Sequence, residues 1–229
     1  MMSSDKQIPL DLGFRPAMGR EDFLLSDCNQ EAIAWVDKWP DWPFFSLMIY
    51  GSSACGKTHL TQVWQEKSQA RVFNRDMLLS PDLEDEIPSS KAVIIDDLEA
   101  YLGNRDTEEA LFHLYNMLKE QQGYLFLTTS QKQADMKFII ADLSSRIKSV
   151  PSVGIGAPDD ILLAAVLVKM FSDRQVKVTH DVVMFVVSRM ERSMENARKI
   201  VEAVDEVSLS RKRPVTIPLV KGVLDDLAL

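Results

Sequence analysis

Two stretches of this chain place polar groups where phosphate chemistry needs them. The first is Gly51-Ser52-Ser53-Ala54-Cys55-Gly56-Lys57-Thr58, whose spacing is that of a phosphate-binding P-loop. In such a loop a glycine-bearing turn aims backbone N–H groups at an anion, and the helix that follows presents its positive end. Gly51, Ser53, Ala54, Cys55 and Gly56 form the cradle, Lys57 reaches the β and γ phosphates, and Thr58 offers its hydroxyl to Mg²⁺. A chance match in an ordinary turn is the alternative, and context argues against it. A strand-like run, Phe44 to Tyr50, precedes the loop, and His59 to Gln65 reads as a helix.

The second stretch is Lys91-Ala92-Val93-Ile94-Ile95-Asp96-Asp97, a β-branched run ending in two carboxylates. An unbroken apolar run suits a strand buried on both faces of a parallel sheet. Carboxylates at its C-terminal end lie on the edge where open α/β sheets bind ligands. Asp96 is the candidate partner of Mg²⁺, direct or through water, and Asp97 the candidate for polarising an attacking water. Asp-Asp after a strand is also a common turn opener, so its weight comes from following a P-loop. Tyr124 to Ser130 reads as another buried strand whose terminal hydroxyls either sense a γ-phosphate or form an ordinary turn. The ligand implied is a nucleotide with Mg²⁺.

The elements that must hold these groups alternate between strand and helix patterns as far as Val150 to Ile155, which predicts a sheet flanked by helices. Residues 1–20 carry Pro9, Gly13, Pro16 and Gly19 without strand or helix period and read as an extended arm. Ser26 or Asp27 is expected to cap a helix over 29–39, and residues 70–74 to form a second strand. Ala157-Pro158-Asp159-Asp160 breaks the composition and supplies an N-cap. Beyond it helices dominate, with a strand-like pattern only at Val215-Thr216-Ile217. The expected division is arm 1–20, nucleotide-binding core 21–157 and helical domain 158–229. His113 reads as a packing or surface residue, and Arg211-Lys212-Arg213 as a solvated turn.

With 46% apolar residues in 229, the chain can bury a core without disulfides or metal staples. Cys28 and Cys55 are far apart with no ligand-like spacing, so both are expected as unpaired thiols in a reducing compartment. A polar N-terminus and the lack of a long apolar run predict a soluble, cytoplasmic protein without membrane contact. A net charge of −8 opposes a protein that blankets DNA phosphates, leaving DNA contact local or indirect.

The order of parts resembles an AAA+ ATPase: P-loop strand, Asp-Asp strand, Thr/Ser-ended strand, a helix with an isolated Arg, then a small helical lid. Gly56-Lys57-Thr58-His59-Leu60, Ile94-Ile95-Asp96-Asp97-Leu98 and Leu143-Ser144-Ser145-Arg146 before Ala157-Pro158-Asp159 are similar to the DnaA branch of that family. The sequence ends after the lid-like helices, so the helix-turn-helix region that follows the lid in DnaA is not expected here. Gln7-Ile8-Pro9-Leu10-Asp11-Leu12 resembles the peptide by which replication proteins bind the sliding clamp. The resemblance implies a regulator tethered to the clamp through Gln7, Ile8, Leu10 and Leu12. It would deliver Arg146 as a finger to the ATP of a neighbouring DnaA, and homo-oligomers are possible partners too. Arg146 as a surface ion-pair partner is the plainer alternative. By resemblance Phe23, Leu24, Asn29 and His59 join the nucleotide site. The same resemblance implies ADP or ATP as the nucleotide; the usual lid arginine falls at Glu195, and Arg198 or Arg192 could substitute. Ser130 stands where DnaA has an acidic residue, and both departures imply weak hydrolysis by the protein itself. An autonomous ATPase, such as a loader or remodelling subunit, is the competing reading.

Overall fold

The computed structural model describes residues 24–211 and 213–227. The arm peptide with Gln7, Ile8, Leu10 and Leu12 lies outside them, as does Phe23. Five parallel strands form one sheet: β1 (Ser46–Tyr50), β2 (Arg71–Val72), β3 (Ala92–Ile95), β4 (Tyr124–Thr129) and β5 (Ser152–Gly154), in the order β2-β3-β4-β1-β5. The expected second strand shrinks to two exposed residues at the sheet edge, where only β3 pairs with it.

Successive side chains on a strand point to opposite faces, and here both faces are covered. Leu47, Ile49, Ile94 and Phe126 enter one layer beneath α1 (Gln30–Lys38) and α2 (Lys57–Ser68). Met48, Val93, Ile95, Leu125 and Leu127 enter the other. That side is closed by the short α3 (Arg75–Leu78) and α4 (Leu83–Glu86), by α5 (Arg105–Glu120) and by α6 (Ala141–Lys148). This is why the strands read as continuous apolar runs. Trp64 of α2 anchors the first layer, its ring stacked on Trp42 at 5.7 Å and on Phe126 at 5.0 Å. Each such pair adds about 0.5–1.5 kcal/mol beyond the area it buries.

The cap expected at Ser26 or Asp27 is displaced. Asn29 occupies the N-cap position of α1 without a side-chain cap bond. Its side chain turns back instead, Nδ2 donating to the Leu24 carbonyl (2.9 Å) and Oδ1 accepting from the Ser26 amide (3.0 Å). The Ser26 hydroxyl is committed elsewhere, as a donor to the Asp159 carboxylate.

After β5 the chain is helical: α7 (Asp160–Asp173), α8 (His180–Val187), α9 (Met194–Arg211) and α10 (Ile217–Asp226). They enclose a separate apolar cluster that includes Leu163, Leu167, Phe171, Val183, Ile200 and Val204. The predicted N-cap is found, Asp159 Oδ1 accepting from the Leu162 amide at 2.7 Å. Val215 to Ile217 is not a strand, because no neighbouring strand edge is there to pair with it. Thr216 is instead the extended N-cap of α10, and Pro218 lies in its first turn, where a missing N–H costs nothing. Among the described residues no helix is long and apolar enough to cross a membrane.

Candidate functional site

The parallel sheet sends the ends of β1, β3 and β4 to one edge, and the three expected motifs meet there. Gly51 follows β1 and donates its N–H to the Thr129 carbonyl at the end of β4 (3.1 Å). A Cβ at Gly51 would lie 2.6 Å from both the Cys55 Sγ and the Ile155 carbonyl oxygen, so the loop closes only on glycine. Gly56, at φ 110°, takes the left-handed turn that starts α2, and Ala54 is also left-handed at φ 56°. Lys57 is 7% exposed, and its Nζ donates to the carbonyls of Gly51 (2.9 Å) and Ser52 (3.0 Å). Its charge is thereby held inside the curl of the loop. Ser53 and Thr58 are exposed on its rim, while Ala54 and His59 are half-buried. Cys55 is buried beneath it, and burial pushes its thiol pKa up against the opposing charge of Lys57. Neither Cys28 nor Cys55 is in a disulfide.

The acidic end of β3 is tied to β4 through one hydroxyl. Thr128 Oγ1 donates to Asp96 Oδ1 and accepts from the Asp97 amide at 3.0 Å. Among the described residues no cluster of three or more His, Cys, Asp or Glu is built to hold a metal alone. A Mg²⁺ ion here would therefore take Thr58 and Asp96 together with phosphate oxygens, as hard-cation sites at nucleotides do. Asp97 is exposed in a left-handed conformation, φ 51°. Its pKa is raised, first by desolvation and then by the charges of Asp96 and Glu99, with Lys57 opposing. A raised carboxylate pKa means the folded protein binds this proton more tightly than the unfolded chain, so its contribution to stability falls as pH rises from about 4. Asp97→Asn is therefore expected to melt at a higher temperature than wild type at pH 7. The gap should close near pH 4, measured by thermal unfolding across that range.

Arg146 is on α6, which packs against α5. Its guanidinium sits over the rings of Phe112 (5.1 Å) and Tyr115 (5.7 Å), both on α5. α6 is itself set on α5 by Glu108, a fully buried carboxylate that accepts from the amides of Ile139 (2.8 Å) and Ile140 (2.8 Å) at the helix start and from Gly103 (2.8 Å). α5 thus fixes both the helix that carries Arg146 and the plane of its guanidinium.

The helical region reaches the loop directly, the Met194 amide at the start of α9 donating to the Ala54 carbonyl (3.3 Å). Glu195 is turned to Lys199 (2.5 Å), which together with Arg198 lowers its pKa. Arg192 is ion-paired with Asp160 at 3.0 Å, whereas Arg198 is exposed, one helical turn beyond Glu195. Of the two substitutes for a lid arginine, Arg198 is the one not drawn to α7. Leu24 is half-buried at the start of a segment strapped to the linker before α7, with Ser26 on Asp159 and the Gly156 amide donating to the Cys28 carbonyl at 2.8 Å. The Ser26 hydroxyl and the Leu162 amide hold the Asp159 pKa below the usual carboxylate range.

Glu99 and Glu108 escaped the sequence reading. Glu99 binds Ser130 across 31 residues and Glu108 binds Ile139 across 31, and no local pattern announces either contact.

Comparison with known proteins agrees with this geometry. Domain III of the replication initiation protein DnaA from Thermotoga maritima superposes with a TM-score of 0.78 at 18% identity, covering 93% of this chain and 97% of that one. AMPPCP-bound DnaA from Aquifex aeolicus gives 0.73 at 17% identity, over 86% of this chain and 69% of that one. An uncharacterised protein of Haemophilus influenzae is 25% identical over 235 residues, 96% of this chain and 99% of that protein. Sheet order, phosphate loop and appended helices together give the chain the fold of DnaA domain III. Residues 160–224 match the family model of the Hda lid domain. Over those residues the chain is similar to the Hda lid domain, and over nearly its whole length it has the fold of DnaA domain III.

Proposed function

We propose that this protein is a negative regulator of replication initiation that binds an adenine nucleotide at Gly51–Thr58 and acts on DnaA in trans. Residues 1–20 serve as a tether carrying the clamp-binding peptide, 21–157 as the AAA+ core and 158–229 as the lid. Gln7, Ile8, Leu10 and Leu12 bind the sliding clamp, and DNA is reached through the clamp. Arg146 completes the ATP site of an adjacent DnaA, where a cation at the γ-phosphate stabilises charge developing in transfer. The nucleotide held by the protein's own loop, with Thr58 and Asp96 toward Mg²⁺, is a structural ligand spanning core and lid.

The observation that carries this reading is an arginine on α6 held by aromatic rings, in a chain whose residues 160–224 match the Hda lid domain. Its guanidinium lies on the α5 aromatic face, its partners there and not on the chain's own phosphate loop. A cation not spent on the chain's own loop supports the reading that it serves a neighbour's site. The test is ATP hydrolysis on DnaA in the presence of clamp loaded on DNA, with the intact protein and with one lacking residues 1–12. Stimulation that needs both the clamp and residues 1–12 is expected. Stimulation that persists without the clamp refutes the tether, and none at all refutes the regulator. Appreciable ATP turnover by the purified protein alone, lost in Asp97→Ala, would mark an autonomous ATPase instead.

A further inference from the structure

The carboxylate of Glu99 occupies a position that neither the P-loop nor the Asp-Asp strand accounts for. Glu99 lies in the 3₁₀ turn Leu98–Tyr101 immediately after Asp96-Asp97. Its Oε1 accepts both from the Ser130 amide (2.7 Å) and from the Ser130 hydroxyl. Its Oε2 is buried and accepts no hydrogen bond. Burial alone pushes this carboxyl toward protonation, but the Ser130 hydroxyl and amide, together with its own amide and the Thr129 hydroxyl, outweigh it and hold its pKa below the ordinary glutamate value. A charged group, with one oxygen unsatisfied, is therefore fixed at the sheet edge.

The location of that edge gives the charge its meaning. β4 lies between β3 and β1, and Thr129, the residue before Ser130, receives the N–H of Gly51, the first residue of the phosphate loop. Ser130 is thus the strand-end group set between the loop and the two aspartates. A phosphate chain that grows outward from the loop meets this edge with its terminal group. An anion arriving there needs donors, and Ser130 has two, an N–H and an O–H. Glu99 has taken both. It also adds a negative charge to those of Asp96 and Asp97, against the single ammonium of Lys57.

We propose that Glu99 is the specificity-determining residue of the phosphate site, sequestering the donors of Ser130 and repelling a third phosphate so that the site selects nucleoside diphosphates over triphosphates. This rests on the reading that Gly51–Thr58 binds a nucleotide. A diphosphate ends short of the Ser130 edge and is held by the loop amides and Lys57 alone. A triphosphate must either displace Glu99 from Ser130 or place its terminal oxygens beside an uncompensated carboxylate. Either course weakens binding of the longer ligand and leaves the shorter one largely untouched. Glu99 acts here on which ligand is held, through the donors it occupies and the charge it carries.

The test measures equilibrium dissociation constants for ADP and for AMPPCP, both with Mg²⁺, on the full-length protein and its Glu99→Gln, Glu99→Ala and Glu99→Ala/Ser130→Ala variants. Cooperative thermal unfolding verifies that each variant is folded, and should Glu99→Ala fail to fold, Glu99→Gln carries the test because it keeps the shape and loses the charge. Removing one like charge and releasing two donors is expected to shift the AMPPCP-to-ADP affinity ratio about tenfold toward AMPPCP in Glu99→Ala. The shift should be smaller in Glu99→Gln and partly reversed when Ser130 is also replaced. A wild type that binds ADP but shows the same ratio as Glu99→Gln and Glu99→Ala within twofold overturns the proposal while leaving the nucleotide site intact. A wild type that binds neither ligand overturns the nucleotide reading itself, and the proposal falls with it.

Discussion

An Arg146→Ala variant is expected to lose the stimulation of ATP hydrolysis on DnaA by about 10³-fold or more, the range that arginine fingers contribute in other NTPases. The argument starts from the side chain. A guanidinium is planar, permanently charged and forked, so it can stack on a ring and still present N–H groups to phosphate oxygens. Phe112 and Tyr115 provide the ring faces, and Glu108 holds the helix start above them. Lysine cannot reproduce the stacked fork, so Arg146→Lys should recover only a small part of the rate. Loss of the aromatic contact costs roughly 0.5–1 kcal/mol at a partly exposed position, so the folded state should survive the alanine change. The assay is DnaA-bound ATP hydrolysis with clamp loaded on DNA, with melting temperature as the control. Undiminished stimulation by a folded Arg146→Ala protein removes the finger role.

The second large effect is expected at Lys57. Its ammonium is almost wholly buried and already bonded to two carbonyls of the loop. In Lys57→Ala those carbonyls lose their donor and Asp97 loses a nearby positive charge. A hydrogen bond to a charged group contributes about 1.5–3 kcal/mol, so nucleotide affinity should fall roughly 10- to 100-fold for one phosphate contact and further for two. Lys57→Arg should not restore it, because the bulkier fork has no room at a site this enclosed. Titration with a fluorescent adenine nucleotide measures both variants. Unchanged affinity in Lys57→Ala would mean that the loop is a structural turn and no phosphate cradle.

Much of this architecture was legible beforehand because it is written locally. The unbroken run at 91–95 reports a strand covered on both faces, and the Gly51–Thr58 spacing reports a turn whose φ angles only glycine or a strained residue adopts. Asp159 announces α7 by its position alone. What escaped is what depends on distant segments meeting. Ser26 looks like a cap in sequence, yet its hydroxyl goes to Asp159, 133 residues away. Val215 to Ile217 has strand-forming residues without a strand to join. Glu99 and Glu108 look like ordinary surface acids in helical turns until β4 and α6 are brought against them. Local pattern thus names the groups that touch phosphate, while the groups that orient or oppose them emerge only from the order of the strands.

The strap between residues 26–28 and the linker at 156–159 has a mechanical consequence. Two bonds, Ser26 to Asp159 and Gly156 to Cys28, join the entry of the chain to the one segment that connects sheet and helical region. A pull applied upstream of Leu24 would load that connection before it loads α1. The same helical region touches the phosphate loop through Met194 and Ala54. A force on the chain before Leu24 and occupancy of the loop would therefore act on one joint, the linker between sheet and helices.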